Sequence, residues 1–201
     1  MRICLRRREF IAVLGGAAAW PLAAWAQQSA LPVVGYLDPG APESSASFVA
    51  AFRKGLSETG FVEGRNVSVE YRWGHNDYGR APELAADLVR RRVAVISAPA
   101  AAGALAAKRL TETIPIIFGT ATDPVKMGLV ASLNRPGGDI TGFTSMNSDL
   151  GGKRLGMLRE LMPRATRFAF LIDPASITAD AFVKDMEAAA SAISRQLDVI
   201  T

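Results

Sequence analysis

Four short runs in which almost every position is apolar punctuate the chain: residues 33–37 (VVGYL), 93–98 (VAVISA), 114–118 (IPIIF) and 168–172 (FAFLI). Such runs predict strands buried on both faces, the habit of parallel sheets covered by helices. Between them the apolar positions space out to a helical period. Phe48, Phe52 and Leu56 lie four apart, after Ser44 or Ser45 as a cap and before Gly60 as a stop. Helices are likewise expected at 82–91, 104–110 and 153–162, and a longer one carrying Phe182, Val183, Met186 and Ile193 begins at Thr178 or Asp180. One segment differs. Val67, Val69, Tyr71 and Trp73 alternate with Ser68, Glu70 and Arg72, which predicts a strand with one solvated face at a sheet edge. A last strand is expected at 197–201.

The stretch 114–143 condenses this grammar into one unit. A buried strand leads through the polar loop 119–123 to Pro124, a residue suited to the first position of a helix. Asp123 can cap that helix and complement its dipole, and Val125, Leu129, Val130 and Leu133 would form its apolar face. The turn 134–139 (NRPGGD) then reverses the chain into a strand at 140–144. The order βαβαβαβαβ predicts an α/β fold, a doubly wound parallel sheet over residues 27–148 with an edge-like second strand and the arrangement 2-1-3-4-5. Near residue 149 the pattern restarts. Two further strands and two helices cannot bury their own apolar faces, so residues 149–201 read as the incomplete start of a second α/β lobe, and the chain as the front part of a longer protein.

Charge and cysteine content change the picture only at the N-terminus. The net charge is +4, but Arg2, Arg6, Arg7 and Arg8 against Glu9 place three of those charges in the first nine residues. The basic balance therefore does not argue for nucleic acid. Residues 1–26 read as an export signal: Arg7-Arg8-Glu9-Phe10-Ile11 puts paired arginines before an apolar segment, and Ala24-Trp25-Ala26 offers a cleavage site before Gln27. The arginine pair points to the twin-arginine route. Pro21 interrupts the segment short of the roughly 20 apolar residues a membrane span needs, so the mature chain should be soluble, without a span, and outside the cytoplasm. Cys4, the only cysteine, also lies in the leader, which leaves the rest without a disulfide or thiolate metal site.

Enzyme signatures are scarce: GxGxxG, the phosphate-binding loop and GxSxG are all missing from the sequence. His75, the single histidine, sits in a polar loop and reads as a surface residue. Asp38, Asp123 and Asp173 each follow a strand and precede a proline. They could be converging carboxylates for acid–base or metal chemistry, but Asp-Pro is above all a good turn, and that reading is favoured. The strand-end loops instead gather hydroxyls: Ser44, Ser45, Ser97, Thr120, Thr122, Thr144 and Ser145, beside a loop of tiny residues at 99–103. Hydroxyls and free backbone N–H groups can hold a carboxylate without transforming it, and ordinary capping is the alternative for each.

Longer motifs carry a resemblance. Arg7-Arg8-Glu9-Phe10-Ile11 with Gly15-Gly16, Phe52-Arg53-Lys54-Gly55-Leu56, and residues 60–67 (GFVEGRNV) resemble extracytoplasmic solute-binding proteins of ABC transporters, of the tryptophan/tyrosine type. The strongest match is Asp123-Pro124-Val125 with Gly128-Leu129-Val130 and Ser132-Leu133, continuing through residues 135–142 (RPGGDITG). The resemblance implies a type I periplasmic-binding-protein fold, two α/β lobes closing on a small ligand, with a hinge near residues 144–149. It also implies ligand contacts in the loops 38–45, 97–103 and 119–123, which makes Asp38, Ser44, Ser45, Ser97, Gly119, Thr120, Thr122 and Asp123 the candidate binding residues. Ser97, Thr120, Thr122 and the start of the Pro124 helix would hold the polar end of the ligand. Tyr36 or Trp73 would either meet its apolar part or, the favoured reading, pack in the core. The implied function is capture of a solute, an amino acid or another carboxylate, and delivery to permease subunits in the periplasm, with no catalysis, cofactor, metal or nucleic acid. The loop 98–103 departs from the family in lacking hydroxyls. Rival readings are an exported hydrolase using the aspartates, and the sensing lobe of a receptor. With the second lobe incomplete, weak ligand binding and aggregation through exposed strand edges are expected.

Overall fold

In the computed structural model, residues 31–201 are described; the leader read at residues 1–26 lies outside them. The first apolar run becomes β1 (Val33–Asp38), followed by α1 (Ala46–Glu58) and the alternating strand β2 (Ser68–Trp73). Then come α2 (Ala81–Arg90), β3 (Val95–Ala98), α3 (Ala101–Lys108), β4 (Ile116–Thr120) and β5 (Ile140–Thr144). These five strands form one parallel sheet in the order β2-β1-β3-β4-β5, the expected 2-1-3-4-5 winding. A second, two-stranded parallel sheet pairs β6 (Arg167–Leu171) with β7 (Gln196–Ile200), flanked by α4 (Gly151–Leu161) and α5 (Ala179–Ala192).

Strand parity distributes the core. Leu37, Ile96, Ile116 and Phe118 point to the face covered by α2 and α3, where they join Leu84, Leu88, Ala104 and Ala107 in one buried cluster. Each fully buried leucine or isoleucine there contributes about 1.5–3 kcal/mol. Tyr36, one position out of phase with Leu37, faces the other way and packs under α1 against Phe52, Tyr71 and Trp73, with ring centroids 5.2, 5.5 and 5.6 Å away. The two-stranded sheet has its own small core of Leu155, Phe168 and Ala190. On the α1 side of the first sheet, Ile117 and Phe143 remain exposed, because α1 covers the β1–β2 half only.

Three expectations are corrected. The helix expected after Pro124 is not formed: residues 124–130 make successive turns, and the N–H groups of both Leu129 and Val130 donate to the Pro124 carbonyl. Gly128 at φ 71° bends the backbone into the left-handed region after a single turn, burying Leu129 and Val130 and leaving Val125 and Leu133 at the surface. The loop of tiny residues is shorter than read, since Ala101 to Gly103 already belong to α3; a Cβ on Gly103 would lie 3.0 Å from the Leu37 carbonyl, so the small residues serve helix–strand approach. And the polar face of β2 is covered. The Arg72 guanidinium donates to Asp87 of α2 at 2.7 and 2.8 Å and to Glu70 at 2.7 Å, with Arg90 and Arg91 also on Asp87.

That network titrates in acid. Its hydrogen bonds, those from Arg72 first, hold the Asp87 carboxyl down at about 2 against a usual 3.8. A depressed carboxylate contributes stability above its unfolded pKa and loses it as pH falls through the folded one. The urea midpoint should therefore drop between pH 4 and pH 2. Asp87→Asn should lower the midpoint at pH 7 and flatten it across that window; an unchanged acid limb in the variant would contradict this.

Candidate functional site

Each Asp-Pro pair builds the same turn. The Oδ1 of Asp38 accepts the Gly40 N–H at 2.8 Å, that of Asp123 the Val125 N–H at 2.8 Å, and that of Asp173 the Ala175 N–H at 2.9 Å. The proline between lacks an N–H, so the carboxylate reaches the next donor along. The second oxygen of Asp38 accepts the Ser45 hydroxyl at 2.9 Å, and both side chains are buried. Ser44, exposed, donates its hydroxyl to the Ala41 carbonyl. The loop after β1 is thus closed upon itself.

The loop after β2 is laced to it. The N–H groups of Gly74, His75 and Asn76 donate to the carbonyls of Asp38, Gly40 and Pro39 at 2.9–3.0 Å. The approach is tight: a Cβ on Gly74 would lie 2.5 Å from the Pro39 oxygen. His75 is exposed at φ 56°. Asp77 then accepts the Gly79 N–H and starts a short 3₁₀ turn, Tyr78–Arg80, that fixes Tyr78.

At the end of β4, Gly119 is buried against Phe143 and the Pro99 carbonyl. The hydroxyls of Thr120 and Thr122 lie 2.9 Å apart, and that of Thr122 also meets the Met127 Sδ. Ser97 lies half-buried within β3, beside Tyr36 and Ile117 in the sheet. Tyr36 is fully buried, its phenol without a hydrogen-bond partner among the described residues; desolvation first, then the Asp38 carboxylate and Tyr71, pushes it up to about 12.

A half-open cavity of about 640 Å³ lies where the loop after β4 meets the start of α5. Thr122, Asp123 and Met127 line one side, Ile177, Thr178 and Phe182 the other, with Tyr78 and the α3 residues Leu105 and Ala106 between. Its volume falls in the range of small-molecule sites, and its wall is apolar with a few polar groups, the usual composition of such sites. Arg109, Lys126 and Asp185 add charge to the lining. Of the candidate residues, the cavity brings together Thr122 and Asp123; Asp38, Ser44, Ser45, Ser97, Gly119 and Thr120 lie outside its lining. Tyr78, Ile177, Thr178 and Phe182 were not among the candidate binding residues, yet all four line the cavity. Phe182 carried only the signal of an apolar helix position, and nothing local marks Tyr78.

Residues 42–200 match the family model described as "ABC transporter substrate binding protein". The chain belongs to this family. The chain is 31% identical over 126 residues to the tyrosine-binding protein of Clostridioides difficile (strain R20291), a match covering 63% of its length and 36% of that relative. Among solved structures, a conserved domain protein from Vibrio cholerae superposes with a TM-score of 0.74 at 23% identity, covering 86% of this chain and 57% of the other. An ABC domain from Streptococcus pneumonia in complex with L-Trp superposes at 0.72 and 19% identity, with 85% and 57% covered. The fold is that of type I periplasmic binding proteins. The chain spans less than two thirds of the length of these relatives.

The lacing of the first two loops predicts a local sensitivity. Gly74→Ala drives a Cβ into backbone and should cost roughly 1–3 kcal/mol in urea denaturation. Gly55→Ala, in the exposed middle of α1 with open space around it, should be neutral or gain about 0.5–1 kcal/mol.

Proposed function

We propose that this protein holds a small solute, an amino acid or another carboxylate, in the cavity between the β4 loop and the start of α5, and delivers it to the permease of an ABC transporter. The observation that carries the reading is the cavity itself: polar groups of Thr122, Asp123 and Thr178 stand at its two sides around an apolar wall. A ligand there touches residues attached to both sheets. Its binding energy then favours whichever arrangement of the two brings those contacts together. The family and fold are those of solute-binding proteins rather than enzymes. The three aspartates of the hydrolase alternative are each engaged in their own turns. The relative that binds tyrosine and the neighbour in complex with L-Trp make aromatic amino acids the first ligands to try.

The same reading places residues 1–26 as an export signal, the mature chain outside the cytoplasm, and a lobe boundary near residue 148. Among the described residues, no helix is long and apolar enough to cross a membrane.

Titration calorimetry with L-tyrosine, L-tryptophan and the remaining amino acids tests the proposal: saturable heat with the ligand recovered unchanged supports it, and product formation defeats it. Phe182→Ala should weaken the affinity by about tenfold or more through lost apolar contact, and Thr122→Val by roughly five- to tenfold. Arg7→Lys together with Arg8→Lys should retain the precursor in the cytoplasm, read by fractionation; normal export would exclude the twin-arginine route.

A further inference from the structure

Thr144 ends β5 in register with Thr120, the last residue of β4. Its hydroxyl is used twice, donating to the Thr122 carbonyl at 2.9 Å and accepting the Met146 N–H at 3.1 Å. Thr122 is a residue of the cavity lining. Met146 stands at φ 50°, a left-handed conformation that costs free energy in any residue with a side chain. Directly beyond it, the turn Asn147–Leu150 and α4 carry the chain from the first sheet to the second. A single oxygen atom therefore joins a wall of the cavity to the strained first step of the connection between the sheets.

We propose that Thr144 is a positioning residue that couples occupancy of the cavity to the conformation of that connection. The place of the ligand rests on the function proposed above; the link between the two segments does not. The strain at Met146 persists because its N–H is held. Released, the residue relaxes to an ordinary φ and the connection leaves β5 in another direction, while the Thr122 carbonyl loses its partner. A ligand that orders the β4 loop strengthens the bond to Thr144 and favours the held form of Met146, and the held form orders the loop in return. The end of β5 itself does not depend on this hydroxyl, because the Ser145 N–H separately donates to the Thr120 carbonyl at 3.0 Å.

Thr144→Val keeps the shape and deletes both bonds; Thr144→Ser keeps them. Amide hydrogen exchange on the full chain without ligand should be about tenfold faster in the valine variant at residues 145–147 and also across 121–127, and restored by serine. Acceleration at Met146 alone, with 121–127 unchanged, would overturn the coupling. With L-tyrosine or L-tryptophan present, the parent and the serine variant should gain protection at 145–147 and the valine variant should gain it only at 121–127. Equal protection in all three overturns the proposal. If neither amino acid binds the parent protein, the ligand reading fails by itself, and the exchange comparison without ligand still decides the link.

Discussion

The parallel ladder between β4 and β5 decides where the polar groups of this molecule meet. Pairing Ile116 with Ile140 carries the register through to Thr120 opposite Thr144, so two hydroxyl-bearing strand ends stop side by side. A shift of β5 by one residue would turn the Thr144 hydroxyl to the other face and send Ile140 out of the core. From this register follows the bond from Thr144 to the β4 loop, whose residue Thr122 lines the cavity. The apolar residues that set the register, Ile116, Phe118 and Ile140, are buried under the same helices. Core packing and site geometry are in that sense one constraint.

Around this ladder, backbone polar groups at the strand ends are satisfied by a repeated device. Asp38, Asp123 and Asp173 each bridge a proline to the next available N–H, which lets a buried strand end in a tight turn without orphaned donors. At β1 the device goes further. Ser45 takes the other oxygen of Asp38, and the β2 loop adds three backbone bonds, so this mouth is filled by its own atoms. The β4 loop is bonded differently, through the Thr120 and Thr122 hydroxyls, Met127 and the Asp123 turn, and it places Thr122 against the cavity.

The two parallel sheets repeat one theme at different sizes, five strands and two. In the first, β1 lies between β2 and β3 and its side chains are buried. In the second, among the described residues, β6 pairs only with β7, and Leu171 stays exposed at its end. A two-stranded sheet gains little burial by itself, and α4 and α5 supply much of what it has.

Strand positions, the 2-1-3-4-5 winding and the fold class were legible in the chain because apolar runs such as 93–98 and 114–118 can be buried in few ways, and the alternation of 67–73 marked the edge. The Asp-Pro turns were legible too, since their chemistry is local. What escaped was everything decided between segments distant in sequence. Gly128 looked like an interior helix residue until its backbone had to turn Leu129 and Val130 into the core. Arg72 looked solvated until α2 brought Asp87 over it. The bond between Asp38 and Ser45, and the meeting of Phe182 with Thr122 in the lining of one cavity, left no trace in the sequence. The residue pattern by itself determined which segments are buried and how they pair, because burial and hydrogen bonding leave a period in the sequence. Which partner each hydroxyl takes was decided only in three dimensions, because a hydroxyl bonds whichever group the packed backbone places within about 3 Å.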